Sequence, residues 1–260
     1  MTYYKIPVDN KDVFKNYLPK GKIHYSLNQI PFKESWELSN IEKENIHKYS
    51  RGKVISVAGS IGYTGACILA VEAALNAGAG IVKALVPDSL YDIYESSLIE
   101  SIMVPMDDHG TGSFIQAHVD NILTEIEWAD SVLFGPGLQS DSMAVEWMVA
   151  VLKMINKPLI LDASGFQPLI DKKMEIDDLP EETILTPHLA EFSRIFNMEQ
   201  LIIKDNPIAA VKSIIPNLNG RVLILKGATN IIATSEGKLL LMDHGTSALA
   251  TAGSGDVLTG

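Results

Sequence analysis

A single cysteine, Cys67, is all the thiol chemistry the 260 residues offer. One thiol can form no intrachain disulfide and cannot assemble a thiolate zinc cluster. This usage suits a reducing compartment, and the expected location is the cytoplasm. Long hydrophobic runs are missing too: no window reaches the roughly 18 uninterrupted apolar residues of a membrane span. The N-terminus (Met1, Thr2, Tyr3, Tyr4, Lys5) has no apolar signal-like core, so no membrane partner is expected. Basic charge is scarce. With 21 Lys and Arg against 32 Asp and Glu, the net charge is −11, which repels polyphosphate and argues against a nucleic-acid partner. Hydrophobic residues at 47% against 20% charged exclude a disordered chain. A chain of this length buries roughly 70–75% of its unfolded surface and needs no staple to hold its core.

The organisation changes once along the chain. Residues 1–50 are polar and lysine-rich and read as an N-terminal lead-in segment, with a helix expected from Trp36 to His47. Residues 51–260 read as one domain. From Lys53 onward, apolar runs of strand length alternate with helical patterns, which predicts βα units and a mainly parallel sheet. The runs are Val54 to Ala58, Ile81 to Val86, Ser131 to Phe134, Leu159 to Leu161, Ile184 to Leu185 and Val222 to Leu225. Between the first two lies an alanine-rich helical stretch whose close spacing predicts burial, Cys67 included as a small apolar group. Ile231 to Met242 reads as a hairpin turning at Ser235, Glu236 and Gly237. A hairpin interrupts βα alternation. The expected fold is therefore an α/β three-layer sandwich, doubly wound with an antiparallel hairpin extension, rather than a closed βα barrel.

Polar and glycine-bearing segments follow each apolar run: Gly59-Ser60, Gly135-Pro136-Gly137, Asp162-Ala163-Ser164, Thr186-Pro187-His188 and Lys226-Gly227-Ala228. In an open parallel sheet the carboxyl ends of the strands share one rim where ligands bind. Ala252-Gly253-Ser254-Gly255-Asp256-Val257-Leu258 is a glycine-rich turn opening a helical stretch. Glycines admit close backbone approach, and the amides at a helix N-terminus favour an anion. A carboxylate in that turn, Asp256, is placed to take a proton from a hydroxyl attacking phosphate; its other reading is an N-terminal helix residue complementing the dipole. The chain has neither the Walker G-x-x-x-x-G-K-[ST] nor the Rossmann G-x-G-x-x-G pattern.

Taken together in register, Gly59-Ser60 with Tyr63-Thr64-Gly65-Ala66, Gly135-Pro136-Gly137, Asp162-Ala163, Thr186-Pro187-His188 with Glu191, Leu225-Lys226-Gly227 and Gly253-Ser254-Gly255-Asp256 resemble the ADP/ATP-dependent NAD(P)H-hydrate dehydratases of the ribokinase-like superfamily. The resemblance runs from about His47 to Gly260. It implies a nicotinamide-nucleotide repair lyase: the S-form of hydrated NADH or NADPH is phosphorylated on its ring hydroxyl and loses phosphate, with AMP or ADP released. It further implies that Ala66, Gly137 and His188 contact the hydrate and that Asp256 both contacts it and acts as the base. Lys226, Gly227, Ala228, Thr229, Asn230 and Gly255 match the adenine-nucleotide site, and Gly253, Ser254 and Gly255 form an anion hole. ADP or ATP is the implied phosphoryl donor. Magnesium is the implied cofactor, held through water and phosphate with no direct side-chain ligand. A homo-oligomer, a tetramer by resemblance, is implied as well.

The sequence departs from the family pattern in three places. Asn230 stands where Thr is usual, Ser164-Gly165-Phe166-Gln167 replaces Asp-Ala-Leu-Asn, and the chain stops at Gly260, four residues after Asp256, where further helices are expected to be missing. Two other functions stay open at this level: a ribokinase-like kinase for a vitamin-precursor alcohol, and a nucleotide-binding relative without turnover. Among the remaining residues, His244 reads as a loop residue. Asp107-Asp108-His109 is spaced too tightly for a metal site, the acidic stretch from Glu175 to Glu182 reads as a solvated loop, and Met143, Met148 and Met154 read as core fillers on one helix.

Overall fold

The structure, a computed structural model, describes residues 47–242 and 249–260. The helix expected from Trp36, most of the lead-in and the loop at His244 lie outside the described residues. The chain divides into two compact units: residues 47–186 with 251–260, and a second to which the described residues 187–242 and 249–250 belong.

The larger unit is built on six parallel strands: β1 (Lys53–Val57), β2 (Ile81–Pro87), β3 (Ile102–Met106), β4 (Ser131–Phe134), β5 (Leu159–Leu161) and β6 (Thr183–Leu185), in the order β3-β2-β1-β4-β5-β6. Their sequences are nearly continuous in apolar residues because both sheet faces are covered. Consecutive residues of β4 show it. Leu133 joins a cluster with Cys67, Ala70, Val71 and Ala74 of helix α1 (Thr64–Ala77) and Tyr94 of α2 (Tyr91–Ser97). Phe134 turns the other way, onto Trp147 of α4 (Ser142–Leu152), ring centroids 5.8 Å apart. Helix α3 (Val119–Trp128) lies between β3 and β4 in the chain and buries Ile122 and Ile126. The short helix α5 (Gln167–Ile170) follows β5, and α9 (Ser254–Thr259) completes the unit. Each large side chain buried in these layers contributes about 1.5–3 kcal/mol.

Strand β3 is absent from the expected set. It is the edge strand and exposes Ile102, and its apolar run Ile102-Met103-Val104 is interrupted by Pro105, a residue disfavoured in a central strand. The methionine expectation is corrected in part. Met148 is fully buried, but Met143 and Met154 are 75% and 65% exposed. Five residues rotate a helix by about 140° from its start, so Met143 and Met148 cannot share a face, and Met154 lies beyond the end of α4 at Leu152. Cys67 is buried as expected, and burial pushes its thiol up to about 12. Much of the acidic stretch from Glu175 is exposed.

The second unit carries helices α6 (Leu189–Ile195), α7 (Gln200–Asp205) and α8 (Pro207–Ile214), and strands β7 (Val222–Leu225), β8 (Asn230–Thr234) and β9 (Leu239–Met242). The three strands pair antiparallel, with Leu225 opposite Ile231 and Ala233 opposite Leu239. Leu223, Leu225, Ile231, Ala233 and Leu239 are buried while Ile224, Ile232 and Leu240 between them are half-buried, the alternation of a sheet with one well-covered face. The hairpin at Ser235–Gly237 is as expected: Thr234 N donates to Lys238 O at 3.0 Å. Among the described residues no helix is long and apolar enough to cross a membrane.

Candidate functional site

In the larger unit, the loop after β1 leads through Gly59 and Ser60 to Tyr63, the residue before α1. Gly59 N donates to Pro136 O at 2.7 Å, and the buried Ser60 Oγ donates to Gly137 O at 2.7 Å, so the loops leaving β1 and β4 are tied together. Gly137 has φ +67°, and a Cβ there would lie 2.8 Å from both the Ala66 methyl carbon and the Tyr63 carbonyl. Only glycine fits this approach. Two of the four residues expected to contact a hydrate, Ala66 and Gly137, are therefore in direct contact.

The turn Gly253-Ser254-Gly255-Asp256 forms the start of α9 as expected. Gly253 has φ +91°, and a Cβ there would meet Leu69 Cδ1 at 2.6 Å. Leu69 lies three residues beyond Ala66 on α1. One helix thus supports both the Ala66–Gly137 contact and the glycine turn. Asp256 sits in the first turn of α9, half-buried, where the amides have no intrahelical acceptors and the helix dipole stabilises negative charge by about 0.3–1 kcal/mol. Three residues on, Thr259 is buried and its Oγ1 donates to Asp162 Oδ2 at 2.7 Å. Sequence reading gave Thr259 no role.

In the second unit, His188 is the N-cap of α6. Its Nδ1 accepts from Ala190 N and Glu191 N at 3.1 and 3.2 Å, while Glu191 Oε2 accepts from His188 N at 2.8 Å. This is a capping box with histidine in the usual Ser or Thr position. Because Nδ1 accepts, Nε2 carries the proton, and it lies 3.4 Å from Glu191 Oε1. The sequence signal was His-x-x-Glu before an apolar run. Lys226 runs beside His188 in a parallel bridge, Lys226 N donating to Pro187 O at 2.9 Å. Ala228 and Thr229 fill the turn that follows, and Asn230 Oδ1 closes it by accepting from Gly227 N at 3.1 Å. The Asn230 that replaces the family's usual Thr therefore shapes the turn itself.

Several residues fall elsewhere. Gln167 pairs with Asp171 on α5. Asp107 and His109 form an exposed pair at 3.2 Å. Asp108 is buried and accepts from Ser89 N, Ser89 Oγ and Gly112 N. Burial works to raise its pKa, but the hydrogen bonds from Ser89 and Gly112 outweigh it and hold the carboxyl at about 2. Asp108 thus anchors the loop whose Gly112 O accepts from Ile61 N at 2.7 Å, beside the β1 loop. Among the described residues no three His, Cys, Asp or Glu side chains gather to hold a metal ion.

An α/β protein with paired glycine loops and a glycine turn opening its last helix belongs with the ribokinase-like folds. The Carb_kinase family model, described as NAD(P)H-hydrate dehydratase, matches residues 54–260, and the chain belongs to this family. It is 32% identical over 214 residues to the bifunctional NAD(P)H-hydrate repair enzyme Nnr of Moorella thermoacetica, covering 82% of this chain and 40% of that protein. The chain thus spans about 40% of the length of such curated relatives. Two solved structures share its fold. A ribokinase-like superfamily protein of Enterococcus faecalis has TM-score 0.71 at 24% identity, over 84% of this chain and 72% of that one. The ADP/ATP-dependent NAD(P)H-hydrate dehydratase of Bacillus subtilis, co-crystallised with ATP and Mg2+, has TM-score 0.66 at 24% identity, over 84% and 73%.

Proposed function

We propose that residues 51–260 constitute a dehydratase domain that restores NADH or NADPH from the S-form of its hydrate, using ADP or ATP. The observation that carries this reading is the shared support on α1: Gly137 lies against Ala66 and Gly253 against Leu69, so two of the residues matched to the hydrate and the turn bearing Asp256 rest on one helix. In this reading Asp256 takes the proton from the ring hydroxyl as its oxygen attacks the terminal phosphorus of the nucleotide. The phosphorus–oxygen bond to the nucleotide breaks, and AMP or ADP leaves. The ring carbon–oxygen bond then breaks, phosphate departs with that electron pair, and loss of the neighbouring ring proton restores the double bond. The amides of Gly253, Ser254 and Gly255 stabilise charge on the transferring group. His188 contacts the hydrate. Lys226 places an ammonium near nucleotide phosphate within the turn from Gly227 to Asn230. A bound magnesium ion supplies neutralisation of phosphate charge.

By the same resemblance, the protein works in the cytoplasm as a homo-oligomer, a tetramer. The test of activity is to incubate the protein with Mg2+, NADH hydrate and either ADP or ATP, and to follow dihydronicotinamide absorbance. Return of absorbance together with AMP or ADP is the expected result. Nucleotide binding with no return of absorbance would sink the reading.

A further inference from the structure

Helix α9 opens at the glycine turn and carries Asp256 in its first turn. Its two ends are seated on α1. Gly253 lies against Leu69, and Gly260 lies against the Ala70 carbonyl, the Ala73 methyl group and the Ala74 backbone nitrogen so closely that no side chain would fit. These contacts fix the distance of α9 from α1.

A directional contact across 97 residues of sequence acts on the rotation of α9 as well. Thr259 Oγ1 lies 2.7 Å from Asp162 Oδ2 and 2.9 Å from Gly255 O, with Thr259 fully buried and Asp162 1% exposed. The hydroxyl has one hydrogen for two acceptors, and the bond to a carboxylate is the stronger. Asp162 is itself held by the sheet: Asp162 N donates to Phe134 O at 3.1 Å, and Asp162 O accepts from Gly165 N at 2.9 Å. Thr259 and Asp256 are three residues apart on one helix and so share a face.

We infer that the buried Thr259–Asp162 pair is a positioning element that sets the rotation of α9 and thereby aims the Asp256 carboxylate. This inference rests on the proposed role of Asp256 as base. Neither member of the pair needs to touch substrate. Both act through the helix.

Steady-state kinetics on wild type, Thr259→Val and Thr259→Ser with NADH hydrate, Mg2+ and the preferred nucleotide test the inference. Valine keeps the shape and removes the hydroxyl. The expected result is kcat lowered roughly 10- to 100-fold by misplacement of the base, with KM for hydrate and nucleotide within about twofold of wild type. Serine should restore kcat to within about threefold. Asp162→Asn keeps an acceptor of the same shape without the charge, and serves if the valine variant does not fold; its kcat should fall by at least about threefold at unchanged KM. A wild type that turns over beside valine and asparagine variants of unchanged kcat would overturn the positioning role alone. A wild type with no turnover would overturn the functional reading and this inference with it.

Discussion

Ser60 Oγ donates to the Gly137 carbonyl at 2.7 Å across 77 residues of sequence, and this bond joins the loops leaving β1 and β4. Ser60 is buried, so its removal leaves the carbonyl without that donor in a place poorly reached by water. Ser60→Ala is expected to destabilise the protein by about 1–3 kcal/mol in urea unfolding. It should also raise KM for NADH hydrate, because Gly137 moves away from Ala66. Unchanged stability and unchanged KM together would show that the loops are held by other contacts.

Asp256 and Lys226 separate under mutation if one acts in proton transfer and the other in nucleotide binding. Asp256→Asn should lower turnover by about 10²–10⁴ while nucleotide affinity, followed by calorimetry, stays within about twofold. Lys226→Ala should weaken nucleotide affinity instead. Equal loss of both properties in Asp256→Asn would reject its role as base.

His188 carries a structural duty that is separable from contact with a hydrate. His188→Ala should cost about 0.5–2 kcal/mol in thermal or urea unfolding through loss of the α6 cap. His188→Asn keeps a side-chain acceptor for the first-turn amides and should recover most of that stability. If His188 also contacts the hydrate, the asparagine variant will still show a raised KM. A wild-type KM in that variant would confine His188 to capping.

Asp108 gives the unfolding free energy a defined pH dependence. Its carboxyl is held near 2 in the folded chain against 3.8 ordinarily, so the folded state favours the ionised form. The resulting stabilisation, about 2 kcal/mol, is fully present above pH 4 to 5 and is lost as pH falls from there through about 2. Asp108→Asn should flatten that part of the curve in denaturant titrations at pH 5, 4, 3 and 2. A mutant curve parallel to the wild type would show that other carboxylates set the acid limb.

Strands β1, β2 and β4 to β6 could be read in the sequence because parallel strands buried on both faces are runs of apolar residues that stand out from the polar loops, and β7 could be read as an apolar run ending at Lys226-Gly227. β3 could not, since an edge strand with Pro105 breaks that run. The contact of Gly137 was foreshadowed by glycine at a strand end, and that of Gly253 by the glycine-rich turn before a helix. The partners those glycines admit, Ala66 and Leu69, follow only from the path of α1. Asp108 and Thr259 remained hidden for a related reason: their partners, Ser89 and Asp162, are 19 and 97 residues away, and no periodicity encodes a contact over such distances. His188 could be recognised as a site candidate, but its capping role depended on which ring nitrogen faced the helix.

The face of α1 that carries Ala66, Ala70, Ala73 and Ala74 works as a spacer gauge of fixed thickness. A single methylene added at Ala66 would press on Gly137 and one added at Ala73 on Gly260, while Ala70 and Ala74 meet Gly260 through their backbone and turn their methyl groups into the core. Exposed Glu72 and Asn76 lie outside those contacts. A saturation-mutagenesis map of this helix should therefore beat with a period of three to four residues, intolerant at the alanines and permissive between them, and its intolerant positions would mark how closely this fold must be drawn together for its loops to meet.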